Sequence, residues 1–156
     1  MLLVATELRE SRIHGIGLFA AQQIKKGTPV WRFSSLIDLR LEHGIIQRLA
    51  LPARSQIDSY VYLDNRTHEL ILCGDDARFF NHSPIPNVID DPSDPHLCIA
   101  ARDIEFGEEL TQDYRSFDLL AVKKLKSEDT AEVSCAACDH PQPSPSEFRV
   151  PSSGST

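Results

Sequence analysis

The segment Arg78-Phe79-Phe80-Asn81-His82-Ser83-Pro84-Ile85-Pro86-Asn87 carries more information about the fold than any other part of this chain. From Asn81 to Asn87 it holds two amide side chains, an imidazole and two prolines, a composition that indicates a fixed irregular loop. Taken alone, the loop is also consistent with an ordinary turn in which asparagine side chains bond the local backbone. Its meaning therefore depends on what accompanies it along the chain.

Two further segments accompany this loop. His14-Gly15-Ile16-Gly17-Leu18-Phe19-Ala20 lies near the N-terminus, and Gly107-Glu108-Glu109-Leu110-Thr111-Gln112-Asp113-Tyr114 follows the loop by about two predicted strands. Gly15 and Gly17 place two residues without side chains in a turn, which lets the backbone approach a ligand closely or simply closes a tight hairpin. This Gly-Ile-Gly lacks the strand-to-helix context of a dinucleotide-binding fingerprint.

Length and composition favour one globular domain. The chain has 156 residues, 41% of them hydrophobic, which is enough to bury a core. Its net charge of -7 argues against non-specific binding to nucleic acid or to an anionic membrane. The same sign favours basic partners, although solubility alone also explains an acidic chain.

Several functional classes find no support in the sequence. Charged residues follow Met1 too soon for a signal peptide, and no apolar run is long enough to span a bilayer. Four scattered cysteines do not form a disulfide scaffold, so we expect an intracellular, reducing setting. A Gly-rich phosphate loop is absent, and six scattered histidines do not form a metallohydrolase pattern.

The pattern of apolar residues predicts many short strands. Gly27 is expected to close a turn in the left-handed conformation. The predicted strands, including a hairpin that closes around residues 64–68, are Leu2 to Glu7, Leu18 to Ala20, Thr28 to Phe33, Tyr60 to Leu63, Glu69 to Cys73 and Leu97 to Ala101. The turn from Asp103 to Glu109 repeats the composition of Gln23 to Pro29.

Helical patterns are fewer. Asp38 to Leu49 predicts a helix interrupted at Gly44, Pro52 suits the first turn of a helix that reaches Ser59, and Ser116 is a candidate cap for a helix over residues 117–126. The fold class is therefore mostly β with short helices, an α+β arrangement. We divide the chain into a domain at 1–117, a helical segment at 118–138 and a flexible Pro/Ser-rich tail at 139–156.

In their order and spacing, the three segments resemble the SET domain of protein-lysine methyltransferases, over about Leu2 to Phe117. The resemblance implies a β-clip-like fold of small curved sheets, with a knot-like C-terminal crossing in which the loop containing Asn81 threads under another loop. It implies S-adenosyl-L-methionine as the cofactor. It also implies a lysine-containing protein or peptide as the substrate, for which a basic or histone-like partner would suit the acidic chain.

The resemblance also assigns residues to the cofactor site. The backbone of the first segment would contact S-adenosylmethionine, and Asn81 and His82 would meet its adenine and amino acid parts. Arg78 would pair with the cofactor carboxylate, with a surface ion pair as the alternative. Phe117 would cover the adenine, or else only pack in the core. The predicted cofactor-binding residues are His14, Gly15, Ile16, Gly17, Arg78, Asn81, His82 and Phe117.

Tyr114 takes the position of the catalytic tyrosine in this resemblance. Its hydroxyl offers a hydrogen-bonding dipole without a full charge, which suits in-line attack of a neutral lysine amine on a sulfonium methyl. Tyr60 and Tyr62, expected on one face of a strand, would line the lysine channel through cation–π attraction or would only pack there. Gln112 stands where many SET sequences carry an aromatic residue that limits the methylation level, and Asp113 is expected to orient backbone.

The sequence departs from the family in its zinc ligands. Pro84 replaces the cysteine that usually follows Asn-His-Ser, and the C-terminal region offers only Cys135, Cys138 and His140. Since structural zinc requires four ligands, we predict no metal site. The segment from Phe117 to Lys126 or a second subunit, as in a homodimer, would then cover the channel. Small stand-alone SET proteins of this kind occur in bacteria and viruses, which favours a prokaryotic, cytoplasmic protein.

Two other functions compete with the enzyme. One is an inactive module of the same fold that binds cofactor or peptide, and the other is a zinc-dependent interaction protein built on the C-terminal cysteines. The joint presence of Asn81, His82 and Tyr114 favours the enzyme.

Overall fold

A computed structural model describes residues 1–125 of the chain. Within this range the molecule consists of ten short strands, two α-helices, two 3-10 turns and a further helical stretch at 121–125, which confirms a mostly β fold with short helices. The strands are β1 (Thr6–Glu10), β2 (Ile16–Ala20), β3 (Pro29–Arg32), β4 (Leu39–Leu41), β5 (Val61–Leu63), β6 (Leu70–Leu72), β7 (Asn81–His82), β8 (Val88–Asp90), β9 (Leu97–Ala100) and β10 (Thr111–Gln112). The helices are α1 (Leu51–Tyr60) and α2 (Tyr114–Phe117), and the 3-10 turns are Ile46–Arg48 and Asp76–Phe79.

The strands form four small sheets. Two have three strands, in the orders β3-β9-β8 and β4-β6-β5, and two have two strands, β1-β2 and β7-β10. All pairs are antiparallel except β7 and β10, in which Asn81 lies opposite Thr111 and His82 opposite Gln112. This parallel pair brings the Asn-His loop beside the segment that ends at Tyr114. The knot-like crossing of the chain stays a prediction.

Two apolar clusters stabilise these sheets. The larger one joins β2, β3, β8 and β9, and includes fully buried Leu18, Val30 and Val88. The smaller one gathers Ile46, Val61 and Leu70 around the β4-β6-β5 sheet. Burial of such side chains contributes roughly 1.5–3 kcal/mol each to folding.

The predicted hairpin and the second of the three predicted helices are confirmed. β5 and β6 pair around the expected turn, and α1 begins at Leu51 with Pro52 in its first turn. Gly27 adopts a positive φ of 79°, as predicted. The two similar turns are also physically paired, since Ile24 and Ile104 form an antiparallel bridge.

The predicted helix from Asp38 to Leu49 is wrong. Leu39–Leu41 is strand β4, which pairs with β6, and only Ile46–Arg48 is helical. Asp38 decides this arrangement, because its buried carboxylate accepts hydrogen bonds from the backbone N–H groups of Ser34 and Gly74 and from the N-terminal amine. These partners hold the backbone at Asp38 in a non-helical path before the chain enters the sheet.

Three other boundaries differ from expectation. The first strand begins at Thr6, and Leu2 contributes only an isolated bridge to Trp31. Gly17 lies inside β2 rather than at its turn. Ser116 does not cap a helix; Asp113 caps α2 by accepting a hydrogen bond from the Arg115 N–H, as its expected backbone role implied.

The described residues include only the first part of the helical segment predicted at 118–138. After α2 the chain is helical again at 121–125, and the remainder of the segment to 138 and the tail at 139–156 lie outside the described residues. Among residues 1–125, none of the helices has the length and apolarity needed to cross a membrane.

Candidate functional site

The three motif segments meet around the side chain of Asn81. Its Nδ2 donates to His14 O at 3.0 Å and to Ile16 O at 3.4 Å, both in the first motif. It also donates to Glu109 Oε1 at 2.8 Å in the third motif. Asn81 is buried, so these hydrogen bonds satisfy a group that would be costly to leave without partners. The predicted convergence of the three segments is therefore present in the fold.

Glu109 is the anionic centre of this junction. Besides Asn81, it accepts from Ser11 Oγ at 2.8 and 3.0 Å through its two carboxylate oxygens. Gly17 makes room for it, because a Cβ at Gly17 would lie 2.2 Å from Glu109 Oε1. Gly17 therefore acts here by its missing side chain, whereas Gly15 closes the preceding turn with a φ of 47°.

A wide cavity of about 390 Å³ opens beside this junction. Its wall contains His14, Gly15 and Ile16 from the first motif together with Arg78 and Asn81. Of the eight residues that the sequence predicted for cofactor binding, these five line this cavity. Gly17, His82 and Phe117 do not form part of its wall.

Arg78 is exposed and lies on the wall of the wide cavity. Its guanidinium is 5.3 Å from the centre of the Phe79 ring. Within residues 1–125 it forms no ion pair. A guanidinium stacked in this way keeps its planar donors available for a carboxylate.

His82 contacts Tyr114 rather than the wide cavity. Its Nδ1 accepts a hydrogen bond from the backbone N–H of Tyr114 at 3.2 Å, and the two rings lie 5.4 Å apart. Asp113 Oδ1 is 3.6 Å from the same nitrogen. His82 thus fixes the position of Tyr114.

A second, narrow cavity of about 60 Å³ continues from the first. Its wall contains all three residues predicted for a substrate channel, Tyr60, Tyr62 and Gln112. The prediction that both tyrosines share one strand face is wrong, because Tyr60 is the last residue of α1 and Tyr62 is in β5. They reach the same cavity because α1 leads directly into β5.

Aromatic rings form one side of the narrow cavity. Phe117 lies edge-on to Tyr62 at 5.3 Å and to Tyr114 at 6.1 Å, measured between ring centres. These edge-to-face contacts stabilise the wall. Burial raises the pKa of the Tyr62 hydroxyl well above its usual range, so this hydroxyl stays neutral. Phe117 lines the narrow cavity and is not part of the wall of the wide one.

The other side of the narrow cavity carries carboxylates and thiols. Asp90 and Asp118 contribute carboxylates, and burial raises the pKa of the Asp90 carboxyl. Burial also raises the pKa of the Cys73 thiol to about 12, and Cys98 Sγ lies 3.3 Å from Gln112 Nε2. The thiols are therefore neutral, and Gln112 is held by a weak hydrogen bond to sulfur.

Tyr114 stands where the two cavities meet. It belongs to the wall of both, together with Tyr60, Arg78 and Phe80. Its hydroxyl donates to Phe80 O at 2.5 Å, which anchors the ring at the junction.

Sequence analysis missed four residues that build this site. Glu109 and Asn87 were visible in the motifs but had no specific role; buried Asn87 joins the loop to β10 by accepting from Thr111 N at 2.8 Å. Asp118 and Lys124 carried no motif signal. Asp118 links β5 to the C-terminal segment, and Lys124 lines both cavities.

Among residues 1–125 no group of three or more His, Cys, Asp or Glu side chains is arranged to hold a metal ion. The candidate zinc ligands Cys135, Cys138 and His140 lie outside the described residues.

The chain is similar to known proteins. The model of the SET domain matches residues 15–115. The human histone-lysine N-methyltransferase 2D is 35% identical over 115 residues, which is 69% of this chain and 2% of that protein. The histone-lysine N-methyltransferase trr of Drosophila melanogaster is 31% identical over 135 residues, 83% of this chain and 5% of that protein. The chain thus spans only a small part of either relative.

Solved structures share the fold. The Chaetomium thermophilum Polycomb Repressive Complex 2, in an autoinhibited conformation bound to S-adenosylmethionine, matches with a TM-score of 0.55 and 23% identity. That match covers 81% of this chain and 17% of the other. With the family match across most of the folded part and the convergence of its three motifs, the chain belongs to the SET-domain family.

Proposed function

We propose that this protein is an S-adenosylmethionine-dependent protein-lysine N-methyltransferase. The observation that carries the proposal is the pair of cavities, one wide and one narrow, that meet at Tyr114. A methyl donor and a lysine side chain have to approach each other from opposite sides, and two connected cavities provide such an arrangement. The family relationship supports the same function.

The wide cavity suits the cofactor in size and chemistry. Arg78 offers a cation for the amino acid carboxylate, and the turn at Gly15 presents backbone without a side chain in the way. Asn81 holds the carbonyl groups of His14 and Ile16 in place, so the wall is preorganised. When bound, the cofactor supplies a methyl group on a positively charged sulfur.

The narrow cavity suits the side chain of a substrate lysine. Tyr60, Tyr62 and Phe117 offer aromatic walls for the alkyl stem and its cationic end. Asp64, Asp90 and Asp118 also line this cavity, and Asp118 already pairs with the ammonium of Lys124, which supports the view that the wall accepts such a group. We assign Phe117 to this channel and Gln112 to the region nearest the reacting nitrogen.

Tyr114 aligns the reaction. Its hydroxyl is fixed by Phe80 O and its backbone by His82, so its position does not depend on the substrate. An oxygen held at the junction can orient the amine for in-line attack and favour the polarised methyl group. The substrate itself is proposed only as a lysine-containing, basic protein or peptide.

The test is methyl transfer from labelled S-adenosylmethionine to a histone mixture. We expect transfer by the natural chain and a loss of about a hundredfold or more in Tyr114→Phe, because one preorganised polar group is removed. Tyr62→Phe is the control, since it removes a hydroxyl from the channel wall away from the junction and should retain most of the activity. Equal activity of Tyr114→Phe and the natural chain would refute the assignment.

Binding is measured separately by the shift in melting temperature with S-adenosylhomocysteine. Both variants should keep this shift, because Tyr62 lies outside the wide cavity and Tyr114→Phe preserves the ring. A shift without transfer to any substrate would support the inactive binding module instead.

A further inference from the structure

Lys124 places a lysine amine inside the junction of the two cavities. It lies in the helical stretch 121–125 and lines both the wide and the narrow cavity. Its Nζ is 5.7 Å from the centre of the Tyr114 ring. The side chain is 16% exposed, whereas that of the neighbouring Lys123 is 73% exposed. Of these two adjacent lysines, Lys124 is therefore largely shielded from solvent, whereas Lys123 is largely exposed.

Asp118 directs Lys124 into the junction. The carboxylate of Asp118 is buried, and its Oδ1 accepts from the backbone N–H groups of Leu63 and Leu120 at 3.0 and 2.8 Å. Its Oδ2 lies 2.8 Å from Lys124 Nζ and forms an ion pair with it. A compact ammonium satisfies a carboxylate without strict angular requirements.

The position of Lys124 is the one expected of a substrate lysine. Its amine lies near the Tyr114 ring and pairs with Asp118, a carboxylate of the narrow cavity, and the residue also lines the wide cavity. We propose that Lys124 is a methylation site of this chain itself, modified within the same molecule. The inference rests on the proposed function, since the donor is S-adenosylmethionine bound in the wide cavity.

The step balances as a substitution at carbon. Lys124 Nζ first loses one proton to water, because an ammonium has no lone pair for attack. Its lone pair then forms a bond to the methyl carbon, and the bond between that carbon and sulfur breaks. The electron pair of the broken bond stays on sulfur, which becomes a neutral thioether. The chain gains a methyl-lysine at Lys124, and proximity within one molecule favours it over a lysine from solution.

The experiment uses the full chain, purified and incubated with S-adenosylmethionine carrying a deuterated methyl group. The site of the label is found by mass spectrometry of peptides that separate Lys123 from Lys124. An equimolar lysine-containing histone peptide is present in the same tube as a second acceptor. We expect the label on Lys124 to exceed that on Lys123 by about tenfold or more, with a rate constant that does not change on tenfold dilution.

Three kinds of result would overturn the inference. Label on the added peptide without label on Lys124 refutes it and leaves the proposed function intact. Equal label on both lysines, or a rate that falls with dilution, also refutes it, because the modification would then come from a second molecule or an exposed chain. No label on either acceptor refutes the inference and the proposed function together. Lys123→Arg serves as the matched control and should leave the label on Lys124.

Discussion

At the residue scale, the amide of Asn81 joins parts of the chain that are far apart in sequence. It donates to two carbonyl oxygens of the first motif and to the carboxylate of Glu109. A single side chain therefore closes the wall of the wide cavity and connects it to the strand that leads to Tyr114. This connection explains why an asparagine is needed at a position where an apolar residue could also be buried.

The first prediction concerns Asn81→Ala. The change removes the donor of three partly buried hydrogen bonds, and we expect the free energy of unfolding to fall by about 1–3 kcal/mol. Urea denaturation measures it. Gln23→Ala is the control, because Gln23 Nε2 also donates to a carboxylate, that of Glu105, but in an exposed pair. That variant should change stability by less than about 0.5 kcal/mol. Equal losses in both variants would contradict the role of burial.

Gly17 shows how an absent side chain shapes the same junction. A Cβ there would lie 2.2 Å from Glu109 Oε1 and 3.1 Å from the Cβ of Ser11. Glu109 cannot move away without losing its bonds to Ser11 and Asn81. The steric limit is thus set by a long-range contact rather than by the local strand.

The second prediction concerns Gly17→Ala. We expect it to lower the free energy of unfolding by about 1–3 kcal/mol, because the added methyl group overpacks the junction. A double-mutant cycle with Glu109→Ala tests whether the contact with Glu109 causes this loss. In the Glu109→Ala background the extra cost of Gly17→Ala should shrink, giving a coupling of about 0.5 kcal/mol or more. Strict additivity of the two changes would rule out the clash.

At the element scale, the β8–β9 hairpin carries two carboxylates with opposite pKa shifts. Asp90 ends β8, and burial raises the pKa of its carboxyl above the usual 3.8. Asp94 lies in the turn, where a hydrogen bond from the His96 backbone N–H and the ion pair with Arg32 lower its pKa. The same hairpin is thus weakened by one charge and stabilised by the other at neutral pH.

The third prediction follows from these signs. A raised pKa in the folded state means that ionised Asp90 opposes folding above that pKa, and that this effect is lost as pH falls through it towards 3.8. A lowered pKa means that Asp94 stabilises the fold above 3.8 and that this contribution is lost as pH falls through the lower, folded value. We therefore expect Asp90→Asn to stabilise the protein at pH 7 and Asp94→Asn to destabilise it.

Urea denaturation from pH 7 down to about pH 3 measures both effects. The gain in Asp90→Asn should disappear on approaching pH 3.8, and the loss in Asp94→Asn should disappear only below that value. A pH-independent change in either variant would show that its charge is not the cause.

Local elements also explain how the tyrosines reach the channel. Helix α1 ends at Tyr60 and the chain continues at once into β5, so no loop separates Tyr60 from Tyr62. The direct connection makes the channel wall part of two regular elements. A site built on such elements is held more precisely than one built on loops.

At the scale of the whole molecule, Asp118 connects the C-terminal segment to the β4-β6-β5 sheet. Its Oδ1 accepts from Leu63 in β5 and from Leu120, and its Oδ2 pairs with Lys124. An isolated bridge between Asp64 and Asp118 adds a backbone contact. The segment that follows α2 is therefore part of the folded body that carries the two cavities.

The fourth prediction concerns Asp118→Ala. We expect a loss of about 1–3 kcal/mol in the free energy of unfolding, because two backbone donors lose a buried acceptor. The Leu63 amide should also exchange its hydrogen faster. Asp58→Ala is the matched control, since Asp58 pairs with Lys123 at 3.4 Å near the surface, and such pairs contribute little. A loss in Asp58→Ala as large as in Asp118→Ala would show that the link to β5 is not the cause.

The local features that the sequence predicted correctly depend on interactions between residues that lie close together in the chain. The β5–β6 hairpin, the start of α1 near Pro52 and the turn at Gly27 depend on residues within a few positions of one another. The helix expected from Asp38 to Leu49 failed for the opposite reason. Its apolar spacing was helical, but Asp38 bonds the N-terminus and Gly74, and β6 offers an edge for β4.

The sequence by itself determined the family, the β-rich class and most of the residues that line the two cavities, because motif chemistry and turn residues are written locally. Only the tertiary structure decided that Gly17 makes room for Glu109, that Phe117 lies on the channel side and that Asp118 holds Lys124 at the junction. Each of these depends either on partners that are distant in sequence or on which of the two cavities a side chain lines. Packing of the whole chain, rather than local preference, selects among those arrangements.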